Sequence, residues 1–234
     1  MYMCNKIFCL GDGYAHGHIW PEWPQILKAL LPNHTITLLT GIGAGNEFLI
    51  SLLLKQQLDD RSIVIFQWAQ SDRFDKIIQD EEWRKIAKND LQYHFNTYDV
   101  GNQTWWLSSA SCNVDVRRYH NFFIQDKQQE QRLQDQRKLV AGYLVSKGST
   151  YVDISTPHQQ EFSMQARFNR IRGTEIQPTP IVHYHYLVEV IIPSLPITID
   201  QDRIKRLGKL ISQREWHPYH PDRQQIWSDL TEYL

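Results

Sequence analysis

The chain has 234 residues, of which 41% are hydrophobic and 22% charged, and its formal net charge is −1. This composition is typical of a globular protein with a full core. The small net charge argues against a partner recruited by bulk electrostatics, so we expect neither nucleic acid nor a membrane. No apolar run has the length of a membrane span, and the N-terminus is too short and mixed for a secretory signal peptide. The three cysteines form no CxxC pair, which favours a reducing compartment such as the cytoplasm.

The first third of the chain alternates predicted strands with predicted helices. Strands are predicted at 6–10, 34–40 and 61–68, and helices at 20–31 and 47–58. The third strand is almost continuously apolar, as expected of a strand covered on both faces. This repeat of strand, turn and helix predicts an α/β fold with a parallel sheet.

The middle of the chain is more polar. We predict a helix at 80–90, either a loop or a small hairpin at 91–109, a charged helix within 115–147, and a strand at 149–156. The Gln-rich part of the charged helix has few apolar residues. It is therefore expected to present a solvated face and not a coiled-coil seam.

The last part of the chain is predicted to hold a loop-rich insertion at 158–180 and then a helix that begins near His183. Beyond residue 197, two amphipathic helices flank the aromatic segment REWHPYHPDR. We therefore expect an α/β domain at 1–197 and a helical extension at 198–234.

Four short blocks follow predicted strands or precede the last core helix. They read FCLGDGY at 8–14, TGIGAGNEFL at 40–49, VIFQWAQSDRFD at 64–75 and TEIQPTPIVHYHYL at 174–187. In this order they resemble the four blocks of the SGNH/GDSL hydrolase superfamily, in a branch common among bacteriophage-encoded proteins. The resemblance covers about 6–193. It implies a three-layer α/β/α sandwich with a parallel five-stranded sheet in the flavodoxin-like order 2-1-3-4-5.

The catalytic positions of that family are changed in this chain. Gly13 stands where the resemblance places the nucleophilic Ser, Gln177 where it places the His, and Glu175 where it places the Asp. Glycine has no side chain that attacks a carbonyl, and a glutamine amide cannot serve as a general base. Without two triad members, binding and oxyanion donors leave roughly 10³- to 10⁴-fold rate enhancement. We therefore expect no catalytic residues and regard these three positions as vestigial.

Other residues of the four blocks are candidates for ligand binding at the carboxyl edge of the sheet. They are Asp12, Gly43, Gly45, Asn46, Trp68, Arg73 and His183. The resemblance gives Asp12 mainly a loop-holding role. The glycines are expected in a tight turn with positive φ, with an anion contact through their N–H groups as the alternative.

Several of these assignments stay open. Trp68 either lines a pocket or covers the core, and Arg73 forms a salt bridge, begins a helix or anchors a substrate. The family's third-block Asn has three alternative counterparts, which are Gln67, Gln70 and Ser71.

Two His-x-His pairs offer imidazoles for a metal. His16 and His18 follow the first block, and His183 and His185 belong to the last. A zinc held there would activate a water in place of the missing serine. However, residues two apart on a helix point to different faces, so the second pair is poorly placed to share one ion. We expect no metal and no cofactor.

The leading functional hypothesis is a pseudo-hydrolase of the SGNH fold that acts as a non-catalytic binding or assembly module. The phage resemblance extends this to a virion or tail-associated protein, located in the cytoplasm or the virion. The alternative is an esterase or carbohydrate deacetylase with altered catalytic residues or a metal. One class of expected partner is a small molecule or glycan, bound in the cleft that corresponds to the active site of the SGNH family. The other is a protein docked on Trp216, Tyr219 and Trp227, aromatic residues of the type that anchors interfaces.

Overall fold

The computed structural model describes residues 6–12, 21–41, 43–69, 73–79, 81, 96–109, 118, 126–155, 168–171, 175–213, 225, 227–228 and 232. The strands are β1 (Lys6–Gly11), β2 (Thr35–Thr40), β3 (Ser62–Trp68), β4 (Arg73–Ile78), β5 (Asn96–Val100), β6 (Gln103–Ser109), β7 (Thr150–Ser155), β8 (Phe168–Ile171) and β9 (Glu175–Pro178). The helices are α1 (Trp23–Leu30), α2 (Asn46–Leu54), α3 (Asp126–Ser146), α4 (Pro180–Tyr186) and α5 (Gln201–Ser212). A π-helical stretch, Leu187–Ile191, and a last turn, Ile192–Ser194, continue α4.

A parallel sheet forms the centre of the fold. Its order is β2-β1-β3-β7, and Ile7 of β1 pairs with Ile36 on one side and Ile63 on the other. The predicted α/β class and the predicted first three strands are confirmed. Among the residues that the structure describes, this sheet has four strands and not the five that were expected.

Apolar side chains cover both faces of the sheet, because successive strand residues point to opposite sides. One face, here called core A, buries Ile7, Cys9, Ile63 and Ile65 of β1 and β3 against α1, α4 with its π-helical continuation, and α5. The other face, core B, buries Phe8, Leu10, Val64 and Phe66 against α2, α3 and β6. Every residue of β3 is buried, as its continuous apolar sequence predicted.

Local sequence signals fix where the helices begin. Pro24 lies in the first turn of α1, where its missing N–H costs no hydrogen bond, and the Glu22 N–H donates to Oε1 of Gln25. Asp200 caps α5, since its carboxylate accepts from the N–H of Asp202 at 2.9 Å. Neither helix, nor any other in the described part of the chain, is both long and apolar enough to cross a membrane.

The described residues also form two antiparallel sheets. The segment 91–109, left open between a loop and a hairpin, contains the β5–β6 hairpin, and Gly101 in its turn has φ 66°. Strand β4 joins it to give the order β4-β6-β5. The insertion at 158–180 was predicted to be loop-rich, and this is wrong for its second half, where β8 pairs with β9. The helix predicted at 80–90 lies almost wholly outside the described residues.

The charged helix α3 has the solvated character that its composition predicted. Its apolar residues Val140 and Leu144 are buried in core B, whereas Leu139 and Val145 are 60% and 76% exposed. The helix therefore contacts the sheet through a narrow stripe near its C-terminal end.

The helical extension packs on the α/β domain. Ile204, Leu207 and Ile211 of α5 are buried in core A, and Trp227 is partly buried against it. Trp216 and Tyr219 lie outside the described residues.

We expect Gly208→Ala to destabilise the protein. A Cβ at Gly208 would overlap the Tyr184 hydroxyl, which donates to the Ile204 carbonyl at 3.0 Å where α4 crosses α5. The overlap should lower the free energy of unfolding by about 1–3 kcal/mol, as overpacking does. Gly142→Ala in α3 is the matched control, because nothing lies within 4 Å of its added Cβ. It should raise that free energy by about 0.5–1 kcal/mol. Urea denaturation of both variants checks this, and equal shifts would contradict it.

Candidate functional site

The candidate site lies at the carboxyl ends of β1, β2 and β3, here called the rim. Asp12 follows β1 directly, the segment 41–46 joins β2 to α2, and Ala69 follows β3. In an open parallel sheet these ends meet along one edge, where ligands usually bind. Parts of the first three blocks of the resemblance therefore come together in space.

The loop after β1 is fastened by a buried ion pair. The Asp12 side chain is 0% exposed, and its Oδ2 lies 3.2 Å from Nε of Arg73, which is 21% exposed. A buried carboxylate needs such a partner because burial removes its hydration. The salt bridge predicted for Arg73 is confirmed, whereas a helix start is wrong, since Arg73 begins β4. The loop-holding role expected of Asp12 agrees with this contact.

The loop after β2 is fastened by a second carboxylate from the same strand. Asp75 accepts a hydrogen bond from the N–H of Phe48, in the first turn of α2. Gly45 lies just before this helix, and a Cβ there would stand 2.7 Å from Cγ of Asp75. The absence of a side chain at Gly45 therefore makes room for the carboxyl group. Burial raises the pKa of Asp75 to about 6, although the Phe48 hydrogen bond opposes this.

Asn46 connects α2 to the end of β3. Its Oδ1 accepts from the N–H of Ala69 at 2.8 Å. The preceding turn is closed by a hydrogen bond from the Ala44 N–H to the Gly41 carbonyl, and Gly43 has φ 77°. The positive φ predicted for the glycines of this turn is confirmed at Gly43 and is wrong for Gly45, whose φ of −95° is that of an extended residue before a helix.

Gln67 is the one described residue of the three alternatives for the third-block Asn. It is fully buried, and its Oε1 accepts from Nε1 of Trp23 at 2.7 Å. This hydrogen bond joins β3 to α1 within the fold. Gln70 and Ser71 lie outside the described residues.

Trp68 belongs to core B. It is 2% exposed and stacks on Phe66 at 4.1 Å, and its Nε1 donates to the Tyr151 hydroxyl at 3.1 Å. The guanidinium of Arg137 in α3 lies 5.7 Å from the ring centroid. Of the two readings left open, the described geometry favours the core.

The two histidines of α4 have different surroundings. His183 is 1% exposed, and burial lowers its pKa to about 3, so the imidazole is neutral at physiological pH. His185 is more exposed and lies 3.1 Å from a carboxylate oxygen of Glu189, one turn on. Among the described residues, no three His, Cys, Asp or Glu side chains are grouped as metal ligands. His16 and His18 lie outside them.

The three positions that the resemblance predicts to be vestigial are described in part. Glu175 and Gln177 lie in β9, where their backbones pair with Ile171 and Asn169 of β8. The strand ends at Pro178, immediately before α4. Gly13 lies outside the described residues.

Sequence reasoning missed Asp75, although the residue belongs to the third block. Its signal was the alternation Arg73, Phe74, Asp75, which places two opposite charges on one face of a strand. No strand was predicted over this segment, so the face that Arg73 and Asp75 share was not considered.

We expect Arg73→Met to lower the free energy of unfolding by about 3 kcal/mol, because it leaves the Asp12 carboxylate buried without this partner. Adding Asp12→Asn should recover part of that loss by removing the charge. Chemical denaturation measures both variants. Lys6→Met is the control, since Lys6 and Asp59 form a solvent-exposed pair and its effect should be much smaller. No recovery in the double variant would contradict the ion-pair account.

We expect Asp75 to make stability depend on pH between about 4 and 6. Its pKa rises from 3.8 to about 6 on folding, so the folded state holds the proton more tightly. The free energy of unfolding therefore falls as pH rises through this window, by on the order of 2–3 kcal/mol. Asp75→Asn should remove this slope, as denaturation at several pH values would measure.

Asp59→Asn is the matched control for this pH series. Hydrogen bonds from Lys6 and Ser62 hold the pKa of Asp59 near 2, below its ordinary value of 3.8. Its contribution is present above about pH 4 and lost as pH falls towards 2. This variant should therefore keep the slope between pH 4 and 6. An unchanged slope in Asp75→Asn would overturn the assignment.

A scan against protein-family models, a search of curated proteins and a search of solved structures each found no match to this chain.

Proposed function

We propose that this chain is a non-catalytic module of the SGNH type that binds or assembles with a partner. In this proposal the parallel sheet belongs to a five-stranded SGNH-like sandwich, and the phage-like blocks make the module a virion or tail-associated protein. The observed order β2-β1-β3-β7 supports the fold, since it corresponds to the first four positions of 2-1-3-4-5.

The buried pair of Asp12 and Arg73 is the observation that carries the proposal. Asp12 immediately precedes Gly13, the position of the missing nucleophile, and its carboxylate faces a guanidinium from an inserted strand. A nucleophile loop must present its hydroxyl to a substrate and a base. Asp12, the described residue of this loop, is instead paired with Arg73 within the fold, and Gly13, which follows it, has no side chain.

The acid–base groups near the sheet support the same proposal. The neutral, buried imidazole of His183 is poorly suited to proton exchange with a substrate. Burial raises the pKa of the Cys9 thiol, so it is not a thiolate nucleophile at neutral pH. Neither group replaces the nucleophilic serine or the basic histidine, for which this chain has Gly13 and Gln177.

Ester hydrolysis tests the proposal. We expect the wild-type chain to hydrolyse p-nitrophenyl acetate no faster than buffer. The variant Gly13→Ser with Gln177→His should gain activity on the order of 10²-fold over wild type if the rim keeps SGNH geometry, because it restores a nucleophile and a base. The readout is p-nitrophenolate release.

The matched control makes the same two exchanges in α3, as Gly142→Ser with Gln131→His, and should stay inactive. Saturable hydrolysis by the wild-type chain, lost on changing a single rim residue, would overturn the proposal and favour an esterase. A folded Gly13→Ser, Gln177→His variant without activity would argue against the SGNH arrangement of the rim.

A further inference from the structure

We draw no further inference here: the strongest candidate, the surface of α3 that bears the exposed apolar side chains of Leu139 and Val145, carries none, since nothing in the described part of the structure shows what covers it.

Discussion

The ion pair between Asp12 and Arg73 links the end of the first strand of the parallel sheet to a strand of a different sheet. A carboxylate with no exposed surface needs a compensating cation, and β4 supplies it after β3 has ended. β4 belongs to a sheet other than that of β3, and its first residue lies against Asp12 at the end of β1. Because side chains alternate along a strand, Asp75, two residues further on, points to the same side and reaches α2. One short strand thus fastens the loops after β1 and β2.

β4, the strand that carries Arg73 and Asp75, belongs to a second, antiparallel sheet. β4 pairs with β6, and β6 delivers Trp105 and Leu107 to core B. Phe48, in the first turn of α2, packs edge-on against Trp105 at 5.6 Å between ring centroids. The same turn that donates its N–H to Asp75 is therefore held by aromatic packing from the inserted sheet. Phe48, Trp68 and Trp105 all belong to core B. Trp68, which is 2% exposed, is thus part of the core and does not line an open cleft.

The sequence predicted the parts of the fold whose signals are local. The strands β1, β2 and β3, the helices α1 and α2, and the turn at Gly43 follow from periodicity, proline and glycine within a few residues. Strand β4 was missed because its pairing depends on β6, which lies outside its own segment. The β8–β9 hairpin is local, but each of its strands has only four residues, too few to give a strong alternation signal. A salt bridge of Arg73 was one of several predicted alternatives, but its partner, Asp12, was not predicted. The raised pKa of Asp75 was not, because it arises from burial that only tertiary packing creates.

The polar groups of the described rim are largely engaged with one another. Asp12 faces Arg73, Asn46 accepts from the Ala69 N–H, Gln67 accepts from Trp23, and Asp75 accepts from α2. A hydrolase keeps such groups directed at a substrate and its transition state, where unengaged donors stabilise developing charge. Groups that are hydrogen-bonded within the fold instead rigidify the edge of the sheet. In the proposed SGNH arrangement, Gly13 and Gln177 would likewise supply neither a nucleophile nor a base.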